Sequence, residues 1–474
     1  MHEQPDSMRV TYIQMRFARD ALMYEYLPTL SRLRKVSLPV VYENLFTLLV
    51  GWSDSALAGR IFQENRYLAS VTVGSQLFLL ITAVAGLISV GAGGMTSRRY
   101  GAGQLGRAGD VLSQALLLSL MFGCVLSALV VFGADSLVRL IRLSDEARPL
   151  AAEYTRIVSL SIPMILVQHA CCACLRSCGQ TWAAFRISLT AYLVTIGVSW
   201  GLALSLKPFL APEQLWLCIP IGTAVGYTAA AGLALVWVVR GVGDLQVPLR
   251  LPVPDSRRFR QILSAGVPGG SIWVIINFGA LWHLSIVAGL GDASVAAHGV
   301  ILRLEMLCWV VARALSAAAA SLGGQALGAD RPDLATGYGW LAAKVGMALM
   351  SVLGVFLWLA SGWLVGFFIP DVHSEAYRLA MEMMPLIAIE QPALALTLIL
   401  TTAMVNGASD TAWPLGYTAI GALVIRVSLA YLLTSQWVGL SLLGAWLAIV
   451  ADYYFRGIVA TLRFAYGNWQ ASRF

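Results

Sequence analysis

Among the carboxylates inside long apolar runs of this chain are Glu43, Asp54, Glu305 and Glu390. An ionised carboxylate at the centre of a membrane helix costs about 2.5–3.5 kcal/mol on insertion scales. Each therefore needs a partner, a water-filled cavity or a bound ion. Asp54 follows Glu43 by 11 residues, three helical turns, and Thr47 lies between them on the same face. Asn44, Gly51 and Ser55 form an adjoining stripe. A polar face of this kind fits reversible binding of a proton or a small cation, with a purely structural carboxylate as the alternative for Asp54. In the second half of the chain His298, Glu305 and Trp309 share a helical face, and so do Glu390, Thr397 and Thr401. A carboxylate beside an aromatic ring suits an organic cation; the plainer alternatives pair Glu305 with Arg303 or Arg313 and make Glu390 a helix cap. Trp273, Phe278, Trp282 and Met306 would line an adaptable pocket. Arg303 and Arg313 would make it tolerant of anionic or zwitterionic compounds. No catalytic constellation stands out, and the chain reads as a non-enzyme.

The elements that must position these groups are membrane helices. Hydrophobic residues make up 58% of the 474 residues, charged residues only 12%, and the mean hydropathy is +0.74. About twelve apolar segments recur, at roughly 38–59, 68–91, 111–133, 150–174, 183–206, 214–239, 262–288, 294–320, 338–367, 378–405, 413–435 and 439–462. They are long and lack alternation, which excludes a barrel and predicts an all-α integral membrane protein. The net charge of +7 is sorted by loop: twenty basic residues fall on the side of the N-terminus against eight on the other. Both termini are therefore expected in the cytoplasm, and nucleic acid is not an expected partner. The seven cysteines form no disulfide framework. The cluster Cys171, Cys172, Cys174 and Cys178 reads as helix packing, and no metal site is expected. The segment before Leu38 has no apolar core run and is not a signal peptide; Met15, Phe17, Leu22, Met23 and Tyr26 allow an interfacial helix.

The chain repeats itself. Leu38-Pro39 is answered by Val267-Pro268, Tyr100-Gly101-Ala102 by Leu327-Gly328-Ala329, and Cys178-Gly179-Gln180-Thr181 by Ala408-Ser409-Asp410-Thr411, at offsets of 229, 227 and 230 residues. The polar, proline-rich stretch 240–261 divides two halves. The expected organisation is an N-terminal cytoplasmic or interfacial segment 1–35, an N-lobe 36–239, the linker 240–261, a C-lobe 262–466 and a tail 467–474. Six helices per half is an even number, so the lobes should be related by an axis along the membrane normal. Such a machine rocks about a central site, which points to transport. No phosphate-binding glycine loop is present, so ATP is not an expected energy source. The glycines Gly91, Gly93, Gly94, Gly323 and Gly324 read as close-packing sites. His283 reads as a core residue bonded to a carbonyl, and Asp410-Thr411 and Asp452-Arg456 as caps and local ion pairs.

Several of these stretches resemble the MATE (multidrug and toxic compound extrusion) family across nearly all of 32–470. They are Ser37-Leu38-Pro39, Trp52-Ser53-Asp54-Ser55-Ala56-Leu57-Ala58-Gly59, Arg99-Tyr100-Gly101-Ala102-Gly103, Ala296-Ala297-His298 with Gly324-Gln325-Ala326-Leu327-Gly328-Ala329, and Gly407-Ala408-Ser409-Asp410-Thr411-Ala412-Trp413-Pro414. Arg426, Gly444-Ala445-Trp446-Leu447-Ala448, Asp452, Arg456, Arg463 and Trp469 close the pattern. The resemblance implies twelve transmembrane helices in two pseudo-symmetric six-helix lobes and a secondary antiporter that expels organic, often cationic compounds against H⁺ or Na⁺. It implies ion coupling at Asp54. The positions where relatives place an Asn and an Asp on the fifth helix are Thr195 and Ser199 here, so a two-carboxylate Na⁺ site is lost in this half and H⁺ is favoured over Na⁺. The family's acids of the seventh and tenth helices fall at Ile276, followed by Asn277, and at Ala395. Expected ion-coupling residues are thus Asp54, Glu43, Thr195 and Ser199. Expected cavity residues are Glu305, His298, Trp309, Glu390, Asn277 and Thr401. A monomer in a bacterial inner membrane, binding small organic substrates and lipid and using no cofactor beyond the coupling ion, completes the reading. The alternative is a lipid-linked oligosaccharide flippase of the same superfamily.

Overall fold

Apolar runs of this length bury their own backbone polar groups as helices, and the computed structural model contains helices and no strand among the residues it describes: 29–58, 65–139, 147–241, 245 and 253–471. The interfacial segment, Gly59, most of the linker and the end of the tail lie outside them. The first half comprises α1 (Leu30–Leu57), α2 (Asn65–Gly101), α3 (Leu105–Arg139), α4 (Ala147–Ser159), α5 (Ile162–Ser177), α6 (Thr181–Leu206) and α7 (Cys218–Val239). The second comprises α8 (Ser256–Ala288), α9 (Asp292–Gly328), α10 (Pro332–Leu359), α11 (Ser361–Phe368), α12 (Glu375–Thr402), α13 (Ala412–Ala419), α14 (Arg426–Thr434) and α15 (Ser441–Tyr466). Nine helices, some joined across a π turn, are long and apolar enough to cross a membrane, and the bent pair α4–α5 makes a tenth span. With α1 and α2, of 28 and 37 residues, the described chain forms a twelve-helix fold.

The helices depart from the apolar runs in identifiable places. The run 150–174 is broken: α4 and α5 meet at 55°, where Pro163 enters the first turn of α5. The run 338–367 splits at Ala360 into α10 and α11. The run 413–435 carries a π turn, Ile420–Ile425, between α13 and α14, and a second π turn, Ala403–Gly407, prolongs α12. The linker is shorter than its polar composition suggests. The Asp255 side chain accepts from the backbone N–H groups of Arg257 and Arg258 and starts α8 at Ser256, inside the polar stretch.

Each half has its own core. One runs from Ile81 to Val238 with Ile262 added; the other runs from Val287 to Trp469 and takes in Leu33 and Val36. Helix α1 is therefore shared: its first turns pack on the second half, while Phe46 and Val50 pack on the first.

The seam between the halves follows the repeat. A Cβ on Gly101 would meet the Gln325 carbonyl oxygen at 2.0 Å, and one on Gly328 would meet the Arg98 carbonyl oxygen at 2.0 Å. Gly101 and Gly328 are repeat partners, and so are Arg98 and Gln325, so each copy presses its glycine on the other's backbone. The side chains cross in the same way. Gln325 Nε2 donates to the Ser177 carbonyl at 2.8 Å, and Arg98 Nη2 donates to the Ala408 carbonyl at 2.8 Å. Gly91 and Gly266 likewise let α2 and α8 touch, facing the Ile262 and Leu87 carbonyls. These contacts gather at the end of the bundle where α1 begins and where the α2–α3, α5–α6 and α9–α10 turns lie.

Candidate functional site

Asp54 lies in the last turn of α1 and is 6% exposed. Its Oδ1 has no hydrogen-bond partner, and no arginine or lysine pairs with it among the described residues. Thr195 and Ser199 are fully buried on α6 and face Gly226 and Gly222 of α7. The fit is close: a Cβ at Gly222 would lie 2.0 Å from Ser199 Oγ, and one at Gly226 would lie 2.2 Å from Thr195 Oγ1. Neither hydroxyl bonds to Asp54, and both lack partners. Among the described residues, the charge of Asp54 is felt by Cys218 and Tyr227, both on α7. The structure therefore gathers the expected residues around α7 without joining them.

Glu43, three turns away, is already occupied. Arg176 Nη1 donates to both of its oxygens at 3.0 and 3.1 Å, and Ser188 Oγ donates to Oε1 at 2.7 Å. Thr47 Oγ1 donates to the Tyr192 hydroxyl at 2.9 Å. With Gln168, His169 and Tyr227, the residues Glu43, Arg176, Ser188 and Tyr192 wall a cavity of about 30 Å³. Arg176 counts by position as a loop cation, yet it sits in the last turn of α5 and turns inward. A single sequence does not reveal that pairing, because it joins residues 133 positions apart.

In the second half Glu305 and Glu390 are 3% and 0% exposed. Trp309 Nε1 donates to Glu305 Oε1 at 3.0 Å and the Tyr453 hydroxyl to the same oxygen at 3.5 Å. Glu390 Oε1 accepts from Gln391 Nε2 at 3.4 Å, and its Oε2 has no partner. The two carboxylates feel each other's charge and that of Arg426. Neither forms an ion pair with Arg303 or Arg313, and Glu390 lies within α12 and not at its end. Arg426 belongs to a buried triad. Its Nε donates to Asp452 Oδ2 at 2.9 Å, while Arg456 reaches Asp452 Oδ1 at 2.6 Å and Oδ2 at 2.7 Å. Both guanidiniums lie 5.1 Å from the Tyr453 ring centroid.

Three placements differ from the sequence reading. His298 is buried between His283 and Trp446, at ring distances of 5.7 and 5.4 Å, in the core of the second half and away from the cavity, because its face of α9 turns toward α15. His283 finds no carbonyl: both of its ring nitrogens lack partners. Asp410 does not cap α13. It accepts from Arg463 Nε at 3.0 Å, drawn off by the charge on α15.

The second half opens a cleft among α8, α12 and α13. Asn277 is exposed and bonded to the Trp273 carbonyl at 2.8 Å. Thr401 is half-buried against Tyr417, and with Trp273, Ile276, Thr397 and Asn406 it walls a cavity of about 60 Å³. Trp309 and Trp273 lie 6.4 Å apart, and the Arg313 guanidinium covers Trp273 at 5.5 Å.

This architecture is shared. The chain is 23% identical over 462 residues to the "Probable multidrug resistance protein NorM" of Thermotoga maritima, covering 95% of this chain and 97% of that one. Among solved structures it matches a "MATE in the bent conformation" with a TM-score of 0.82 at 20% identity, over 91% of this chain and 94% of the other. It also matches an "outward-facing conformation of a multidrug resistance MATE family transporter" with a TM-score of 0.81 at 21% identity, over 92% and 96%. A family model described as MatE covers residues 39–200 and 273–432, more than half of the sequence. With its twelve-helix fold and its two-half seam, the protein belongs to the MatE family of multi-pass membrane transporters.

Proposed function

We propose that this protein is a secondary antiporter that exports organic, amphipathic compounds across a bacterial inner membrane in exchange for H⁺, with Na⁺ as the alternative ion. The observation that carries the reading is the contrast among buried carboxylates. Glu43, Asp410 and Asp452 each have an arginine, and Glu305 and Glu390, which have none, accept from Trp309, Tyr453 and Gln391. Asp54, by contrast, has no cationic partner among the described residues, and its buried Oδ1 accepts no hydrogen bond. An unneutralised intramembrane carboxylate is a functional site by default. The relatives' names, which speak of multidrug resistance, support export of organic compounds. With both termini in the cytoplasm, the sealed end faces inward and the cleft opens outward. Ion binding in the first half would then favour release and return.

The test is transport by the purified protein in liposomes, following ethidium and norfloxacin under imposed H⁺ and Na⁺ gradients in turn. The account expects movement of at least one compound to speed up about tenfold or more under a proton gradient. Movement indifferent to both gradients would overturn it.

A further inference from the structure

Arg313, like Arg303 on the same helix, is a membrane-span cation that no carboxylate pairs with among the described residues. It lies near the middle of α9, within a membrane span. Its residue surface is exposed, yet its guanidinium senses Glu43, Tyr192 and Arg176 of the opposite half. A lipid-facing arginine would not do so; Arg313 therefore faces the cleft. No carboxylate among the described residues neutralises it. Glu43 is held by Arg176 and Ser188, Asp452 by two arginines, and Glu305 and Glu390 by Trp309, Tyr453 and Gln391. Arg176 and Arg313 are thus two guanidiniums within electrostatic reach of one carboxylate, Glu43. Arg313 lies over the Trp273 ring, and Trp273 also walls the cavity of about 60 Å³.

A charge kept unpaired in a membrane protein is expensive, and it persists where a ligand or water completes it. Guanidinium presents a planar fork that matches a carboxylate in two parallel hydrogen bonds. We propose that Arg313 is the receptor for a carboxylate on the transported compound, so that the preferred substrates are flat aromatic acids or zwitterions whose ring rests against Trp273 and whose remainder enters the adjoining cavity. This deepens the proposed export function and rests on it. It also fixes a polarity: the anionic end of the substrate points across the cleft toward Arg176, and any amine lies on the side of Glu305.

The experiment measures binding to the full chain in detergent through tryptophan fluorescence, using norfloxacin and norfloxacin methyl ester, which differ only in the carboxylate. The acid should bind at least about tenfold more tightly than the ester to the native protein. That ratio should fall to near unity in Arg313→Gln and take an intermediate value in Arg313→Lys, which keeps the charge and loses the fork. Equal binding of acid and ester by the native protein, or a ratio unchanged in either variant, would overturn the proposal. If Arg313→Gln fails to fold, the native ratio and Arg313→Lys still decide. A native protein that transports ethidium but shows no preference for the acid defeats only this inference. One that transports neither compound defeats the export reading.

Discussion

Asp452 holds two guanidiniums in a site from which water is excluded, while Asp410 meets one that is 20% exposed. Burying three charges this way stabilises only while all remain. Asp452→Asn leaves two buried arginines without a counter-ion and should destabilise the protein by about 3–5 kcal/mol. Asp410→Asn, closer to the surface, should cost about 1 kcal/mol or less. Thermal unfolding in detergent compares them, and equal losses would show that the triad is not a buried network. At this scale the sequence was partly legible. Asp452 and Arg456 are four residues apart on one helix, so their pairing follows from helical geometry. Arg426 and Tyr453 join through the contact of α14 with α15, which no local spacing reveals. The same holds for Glu43 with Arg176. Asp54 was legible because its isolation in an apolar run is a local property.

The helices themselves were largely legible, since apolar length alone calls for a span. Their interruptions were less so. Pro163 marks the break between α4 and α5 in hindsight, but Pro39 and Pro268 lie inside unbroken helices, so proline alone does not locate a break. The π turns in α12 and after α13 carry no sequence signal that separates them from ordinary helix. Of the glycines read as packing sites, Gly91, Gly93 and Gly324 press on neighbouring helices, and the structure adds a reciprocal pair that was not among them. Gly101 and Gly328 each leave room for a carbonyl of the opposite copy. Valine at either position should prise the seam apart. We expect Gly101→Val and Gly328→Val to raise the labelling rate of a cysteine introduced as Ser321→Cys, by about tenfold and to a similar degree. An effect from only one of the two would argue that the seam is not two-fold.

In the whole molecule the two copies share a seam and differ in charge. The first half carries the unpartnered Asp54 and the neutralised Glu43. The second carries two interacting glutamates beneath an arginine-rich network, with the cleft residues Trp273 and Arg313 facing across. Ion coupling in the first copy and substrate contact at the second is the division this asymmetry suggests. It makes coupling separable from substrate movement, and Asp54→Asn separates them. In liposomes loaded with unlabelled substrate, exchange of labelled for unlabelled compound needs no ion gradient, whereas net movement against a concentration difference does. The account expects Asp54→Asn to keep exchange within about twofold of the native rate and to lose gradient-driven movement by about a hundredfold. Driven movement at the native rate in Asp54→Asn would contradict it.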